Sequence, residues 1–167
     1  ESGRPLADFD LIGFTLQYEL SYTNLLAMLD LANIPLTAAA RGGAWPLIIA
    51  GGPAAYNPEP LAEILDLVFL GEAEEGLLEL LDLLAEVKAA GGDKSDFLRR
   101  AMHLEGVYIP SFYQAEYDAA GNFAQLRLAP GAPPAAPLIV RKRIVPDFDA
   151  APSPARPLLP NIRPVHD

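Results

Sequence analysis

The chain has 167 residues, 51% of them hydrophobic and 20% charged, which is enough apolar material for one domain with a substantial core and excludes disorder over most of its length. Its 22 acidic and 12 basic residues leave a formal net charge of -10, so the cationic surface on which nucleic-acid affinity depends is missing and nucleic acid is not an expected partner. Cysteine is absent, which excludes a disulfide, a thiolate-held zinc, an iron–sulfur cluster and a cysteine nucleophile within these residues.

No apolar run is long enough to span a bilayer, and Glu1-Ser2-Gly3-Arg4 has neither a signal-peptide pattern nor an initiating Met. The expectation is a cytoplasmic protein and a piece of a longer one, with no membrane partner. Residues 1–137 carry a net charge of -12, whereas residues 138–167 carry +2. Prolines crowd the chain from Pro130 onward, which forbids long helices and favours an extended connector.

In chain order, Phe9 to Leu16 reads as a buried strand, and Ser21, Thr23 and Asn24 offer caps for a helix with apolar positions at Leu25, Leu26, Met28, Leu29 and Leu31, stopped at Ile34-Pro35. Leu47-Ile48-Ile49-Ala50 is a second strand, cut by Gly51-Gly52-Pro53. Pro58 and Pro60 suit the start of a helix carrying Leu61, Ile64 and Leu65. Leu67 to Leu70 is a third strand. Leucines at 77, 78, 80, 81, 83 and 84 give the stretch from Ala73 to about Ala90 helical spacing, ended by Gly91-Gly92. A short helix, Ser95 to His103, leads to a hairpin of Val107 to Tyr117 and Phe123 to Leu128 about the turn Asp118 to Asn122, and Leu138 to Val145 suits one more strand. The alternation predicts an α/β fold: a partial open parallel sheet of the flavodoxin-like type with helices on both faces, then a β-hairpin and a Pro-rich connector. The expected division is 1–105, 106–145 and 146–167.

In open α/β sheets the ligand crevice lies beyond the carboxyl ends of the strands, which directs attention to Thr15, Leu16, Gly51, Gly52, Pro53, Gly71 and Glu72. The paired glycines let a ligand or another backbone approach closely, and on the ligand reading Gly52→Val abolishes binding while sparing the fold. A tight strand-to-helix turn accounts for the same residues. Neither a GxGxxG nor a P-loop occurs. Glu72, Glu74 and Glu75 fall in a helix's first turn, where the macrodipole favours carboxylates, and Glu75, Glu79, Asp82 and Glu86 form a solvated face opposite the leucines, so no metal is assigned. His103 and His166 have no Ser or Cys beside them, and Arg141-Lys142-Arg143 reads as solvated or docked on the acidic body.

The run Phe9 to Asn24 (FDLIGFTLQYELSYTN), then Leu47 to Pro53 (LIIAGGP), then Phe69 to Glu75 (FLGEAEE) resembles, in order and spacing, the cobalamin-binding-like domain that precedes the catalytic domain in one branch of the radical S-adenosylmethionine (SAM) proteins. Gly106 to Tyr113 and the connector from Val145 to Asp167 resemble that family's lead-in to its radical domain. The resemblance implies a [4Fe-4S] cluster and S-adenosylmethionine for the parent protein, held by a three-cysteine motif beyond Asp167, with the radical SAM domain of the same polypeptide as partner. It implies cobalamin as the candidate cofactor, with Thr15, Leu16, Gly51, Gly52, Pro53, Gly71 and Glu72 as cofactor-binding positions and no catalytic residue. The Asp-x-His-x-x-Gly loop of cobalamin domains that place a histidine beneath cobalt does not occur, so the first strand and its loop are expected to be missing or of another type, and cobalamin binding by this chain alone to be weak or undetectable.

Two functions follow from these features. One is a non-catalytic domain of a radical SAM enzyme that positions a cofactor or substrate. The other is an interaction module without a small-molecule ligand, able to self-associate through an exposed sheet edge.

Overall fold

The computed structural model describes residues 3–151. A four-stranded sheet has the order β1-β2-β3-β4, formed by Leu11–Thr15, Leu47–Gly51, Leu67–Phe69 and Val107–Tyr108. The first three strands are parallel, with Leu11 opposite Leu47 and Ile49 opposite Leu67, and β4 runs antiparallel to β3. Four α-helices accompany it: α1 (Tyr22–Leu31), α2 (Ala38–Arg41), α3 (Ala73–Ala89) and α4 (Lys94–Ala101). A separate hairpin, β5 (Tyr113–Tyr117) with β6 (Phe123–Leu128), turns where the Asp118 carboxylate accepts the N–H groups of Ala120 and Asn122.

Strand alternation divides the core between two faces. On one, Leu47, Ile49, Leu67 and Phe69 pack against Leu80, Leu84 and Val87 of α3 and Phe97, Leu98 and Ala101 of α4. On the other, Ile12, Ile48, Ala50 and Val68 meet Leu25 and Leu29 of α1 together with Ala54, Leu61 and Leu65. The architecture is therefore the expected mixed α/β sheet with helices on both faces.

Three local expectations are corrected. Pro58 to Leu65 is not an α-helix: only one 3-10 turn, Glu59–Leu61, forms there, because Pro60 has no N–H and the chain must reach β3 within a few residues. Val107 to Tyr117 is not one strand. Pro110–Phe112 forms a 3-10 turn that breaks it, leaving Val107–Tyr108 in the main sheet and Tyr113 onward in the hairpin. Leu138 to Val145 makes only an isolated bridge, Arg143 with Gly71, and no strand. The connector beyond Ala151, with His166, lies outside the described residues.

The amino-terminal end of the sheet is held by an ion cluster that periodicity does not reveal. Asp66, Arg41 and Lys94 are all buried. The Asp66 carboxylate accepts the Ile48 N–H at 2.8 Å, Arg41 Nη2 at 3.1 Å and Lys94 Nζ at 3.3 Å, while the Asp66 N–H donates to Ile48 O at 2.8 Å. Arg41 also donates to the carbonyls of Pro35, Leu36 and Ile64. Burial pulls the Lys94 pKa below its ordinary value despite the attraction of Asp66. Removing the carboxylate would strand two buried cations, so Asp66→Ala is expected to cost about 3–5 kcal/mol in chemical denaturation, far more than Asp96→Ala at the exposed α4 capping box.

At the other side of the body the Tyr108 and Tyr113 rings stack at 5.0 Å. The Tyr108 hydroxyl donates to Glu59 at 2.7 Å and that of Tyr113 to the Pro137 carbonyl at 2.5 Å. Burial, chiefly, raises both phenol pKa values, and for Tyr108 the Glu59 carboxylate adds to it. The sign is fixed: a folded pKa above the unfolded value near 10 gives stability that is whole below pH ~10 and is lost as pH rises further. Alkaline titration followed by phenolate absorbance should therefore show the Tyr108 and Tyr113 phenols ionising only as the protein unfolds.

Candidate ligand crevice at the strand ends

At the carboxyl ends of β1, β2 and β3 lie two adjoining hollows that share Gly52 and Gly71. One, of about 410 Å³, runs along the α3 side of β1 and β2 and is lined by Leu11, Gly13, Thr15, Ile49, Gly51 and Leu77 among others. The other, of about 360 Å³, lies between Gly52-Pro53-Tyr56 and Gly71-Glu72 on one side and Lys142, Arg143 and Ile144 on the other. Both volumes suit a small-molecule fragment.

Six of the seven positions singled out from the sequence line these hollows: Thr15, Gly51, Gly52, Pro53, Gly71 and Glu72. Leu16 does not. Its side chain is buried in the core, and its backbone forms the turn, donating to Gly51 O at 2.8 Å and accepting from Ala54 N at 2.9 Å.

The reason for two of the glycines is internal. Gly52 has φ +99°, and a Cβ there would lie 2.8 Å from the Leu16 carbonyl oxygen. The expectation that Gly52→Val spares the fold is therefore corrected, because the side chain would collide with the chain's own turn. Gly71, at φ +108°, would drive a Cβ into the Arg143 carbonyl. Gly51 is different: its Cβ would make ordinary contacts with Phe69 O at 3.4 Å and Phe69 Cβ at 3.9 Å, and the residue lines the crevice, so a larger side chain there would enter it.

A strap formed by Arg141 to Val145 crosses the end of β3. Arg143 N–H donates to Leu70 O at 2.8 Å, Glu72 N–H to Arg143 O at 3.0 Å and Gly106 N–H to Arg141 O at 2.9 Å. Glu72 stands at the N-cap of α3, yet its carboxylate does not cap the helix; it accepts the Val145 N–H at 2.6 Å. Glu75 and Glu79, at one helical turn's spacing, both hold the Arg143 guanidinium, at 3.2 and 2.7 Å. Part of the expected solvated acidic face is thus a docking face for the basic cluster. Lys142 lines the crevice and has no ion pair among the described residues.

No group of His, Asp and Glu among the described residues could hold a metal ion. His103 borders hollows on the α4 side, with Glu105 and Arg141 and with Glu86 and Arg100, away from the strand ends. The described residues therefore offer no imidazole to a cobalt ion in the crevice, and a histidine-ligated cobalamin does not fit it. No helix among the described residues is long and apolar enough to cross a membrane.

Sheet, crevice and strap together define an open α/β unit with its hollows at the strand ends. Residues 1–110, the whole sheet, match the family of radical SAM proteins, N-terminal, and the chain belongs to that family. Membership implies S-adenosylmethionine and an iron–sulfur cluster for the parent protein, and these 167 residues hold no cysteine to bind that cluster. Comparison with curated proteins and with solved structures gives no match.

If glycine at 71 serves the strap, Gly71→Ala should release it. Limited trypsin digestion with mass mapping is expected to show cleavage after Arg141, Lys142 or Arg143 at least tenfold faster in Gly71→Ala, with little change in Gly51→Ala.

Proposed function

We propose that this chain is the ligand-positioning domain of a radical SAM enzyme, without catalytic residues of its own, and that its crevice presents a cofactor or substrate to the radical SAM domain of the same polypeptide. The observation that carries the reading is the crevice itself. Thr15, Gly51, Gly52, Pro53, Gly71 and Glu72 border it, and one wall is the segment leading out of the domain, so a bound molecule would sit where the chain departs. Thr15 offers a hydroxyl, Lys142 a cation and Leu77 and Phe69 apolar surface to such a molecule.

Cobalamin is the candidate that the family resemblance suggests, and its binding would have to proceed without an axial histidine from the described residues. The test is a titration of the full-length polypeptide with hydroxocobalamin, read by absorbance and calorimetry. The expected result is a complex whose spectrum lacks histidine ligation and that Gly51→Leu weakens at least tenfold, because the leucine fills the crevice. Binding by residues 1–167 alone is expected to be weak or absent. No binding by the full-length protein, or binding indifferent to Gly51→Leu, overturns the cobalamin reading. The second reading, an interaction module without a small-molecule ligand, is favoured by the bare outer edge of β1.

A further inference from the structure

With 22 acidic and 12 basic residues, this chain has more carboxylates than cations to pair with them. At the surface Lys88, Arg99, Arg100, Arg127 and Arg143 each hold one. Arg141 and Lys142 hold none among the described residues, although they stand beside Arg143 on the strap. The two neighbours border different hollows. Lys142 lines the strand-end crevice, whereas Arg141 lines a separate hollow of about 320 Å³ on the α4 side.

Met102 and Val107, both buried, give this hollow an apolar floor, and Ile139, 81% exposed, borders it. Three ionisable side chains line it, those of His103, Glu105 and Arg141, and none makes a hydrogen bond or ion pair among the described residues. Glu105 and Arg141 are nevertheless neighbours through the backbone. Gly106 N–H donates to Arg141 O at 2.9 Å, and Val107 N–H closes the turn around Glu105 by donating to Leu104 O at 3.3 Å. Opposite charges are thus anchored on adjoining backbone at one hollow without meeting. A second hollow shares His103 and Leu104 and is bordered by Glu79, Asp82 and Glu86, so the acidic side of the site continues there. No group of carboxylates and imidazoles among the described residues could hold a metal ion, which removes a bare cation as the occupant.

We propose that this hollow is a second binding site, for an apolar zwitterion of the α-amino acid or short-peptide class: Arg141 takes its carboxylate, Glu105 its ammonium, and Met102, Val107 and Ile139 its aliphatic side chains. A purely anionic ligand would bring its charge against Glu105, and a purely cationic one against Arg141. A molecule that carries both charges satisfies both side chains, each by a charge-assisted hydrogen bond, and covers the exposed Ile139. The site shares no lining residue with either strand-end hollow and does not rest on the cofactor-positioning reading of that crevice.

Calorimetric titration of the full-length polypeptide with the dipeptide L-leucyl-L-leucine tests this, set beside the same dipeptide N-acetylated, which removes the ammonium, and C-amidated, which removes the carboxylate. Saturable binding of the free dipeptide is expected, with each cap weakening it about tenfold or more. Glu105→Gln should abolish the penalty for acetylation and keep that for amidation, and Arg141→Gln should do the reverse. Both side chains are exposed, so neither variant disturbs the core. Absence of saturable binding overturns the proposal, as does a dipeptide that binds alike with and without its caps. Cap penalties that survive in both variants overturn it too. Loss of dipeptide binding in Gly51→Leu would assign the ligand to the strand-end crevice and likewise overturn it. The cobalamin titration reads a different hollow, so failure of either experiment leaves the other standing.

Discussion

The Asp66 carboxylate is the constraint on which the rest of the sheet depends. Its backbone N–H and its side chain grip both polar groups of Ile48, so β3 can meet β2 only with Leu67 opposite Ile49. The same oxygens reach Arg41 at the end of α2 and Lys94 at the start of α4. A single acid thereby ties the loop before β2, the entrance to β3 and a helix on the α3 face to one point. Two cations share it, and burying the second is tolerable because the Arg41 Nη groups also donate to three carbonyls, although its buried Nε finds no partner among the described residues. Pairs of this kind give little net stability relative to an apolar core, but they penalise every arrangement in which one partner is lost.

The two ends of the sheet are secured by different physics. At the amino ends, charged side chains meet in a dry interior. At the carboxyl ends, backbone meets backbone: Leu16 folds over Gly52, and Arg143 lies across Gly71, each approach allowed because no Cβ intervenes. Side-chain ion pairs at the crevice are confined to its outer rim, where Glu75 and Glu79 hold Arg143. Those contacts are partly exposed and worth on the order of 1 kcal/mol or less each.

Much of this was legible in the sequence where a single pattern dominated. The apolar runs Phe9 to Leu16, Leu47 to Ala50 and Leu67 to Leu70 marked the strands to within a residue or two, the leucine spacing marked α3, and Asp118 to Asn122 marked the hairpin turn, because burial on one or both faces leaves a periodic trace. The 3-10 turn at Glu59–Leu61 was misread because its apolar residues follow helical spacing although the link is too short and Pro-rich for a helix. The cluster of Arg41, Asp66 and Lys94 left no trace, since its members are 25 and 28 residues apart and each looks like an ordinary surface charge. The crevice positions came from a topological rule, and the rule located the rim. It could not reveal that Leu16 turns inward, or that the partners of Gly52 and Gly71 are the chain's own carbonyls.

That last point changes how glycines at strand ends bear on function. A glycine kept free for a ligand and a glycine filled by a neighbouring backbone have the same sequence signature, and only the position of the nearest carbonyl separates them. Here a Cβ at Gly51 would make only ordinary contacts with Phe69, at 3.4 and 3.9 Å, while Gly52 and Gly71 are filled. The acidic excess of residues 1–137 and the basic excess after them follow the same logic. Arg143 crosses from the basic segment to the acidic helix and carries the chain onto the rim, so the route out of the domain is set by charge and by one missing methyl group. Arg143 bonds to Glu79 and the Val145 N–H to Glu72, so the strap that walls the crevice is held to α3 at two points, on a helical face apart from the leucines of the core.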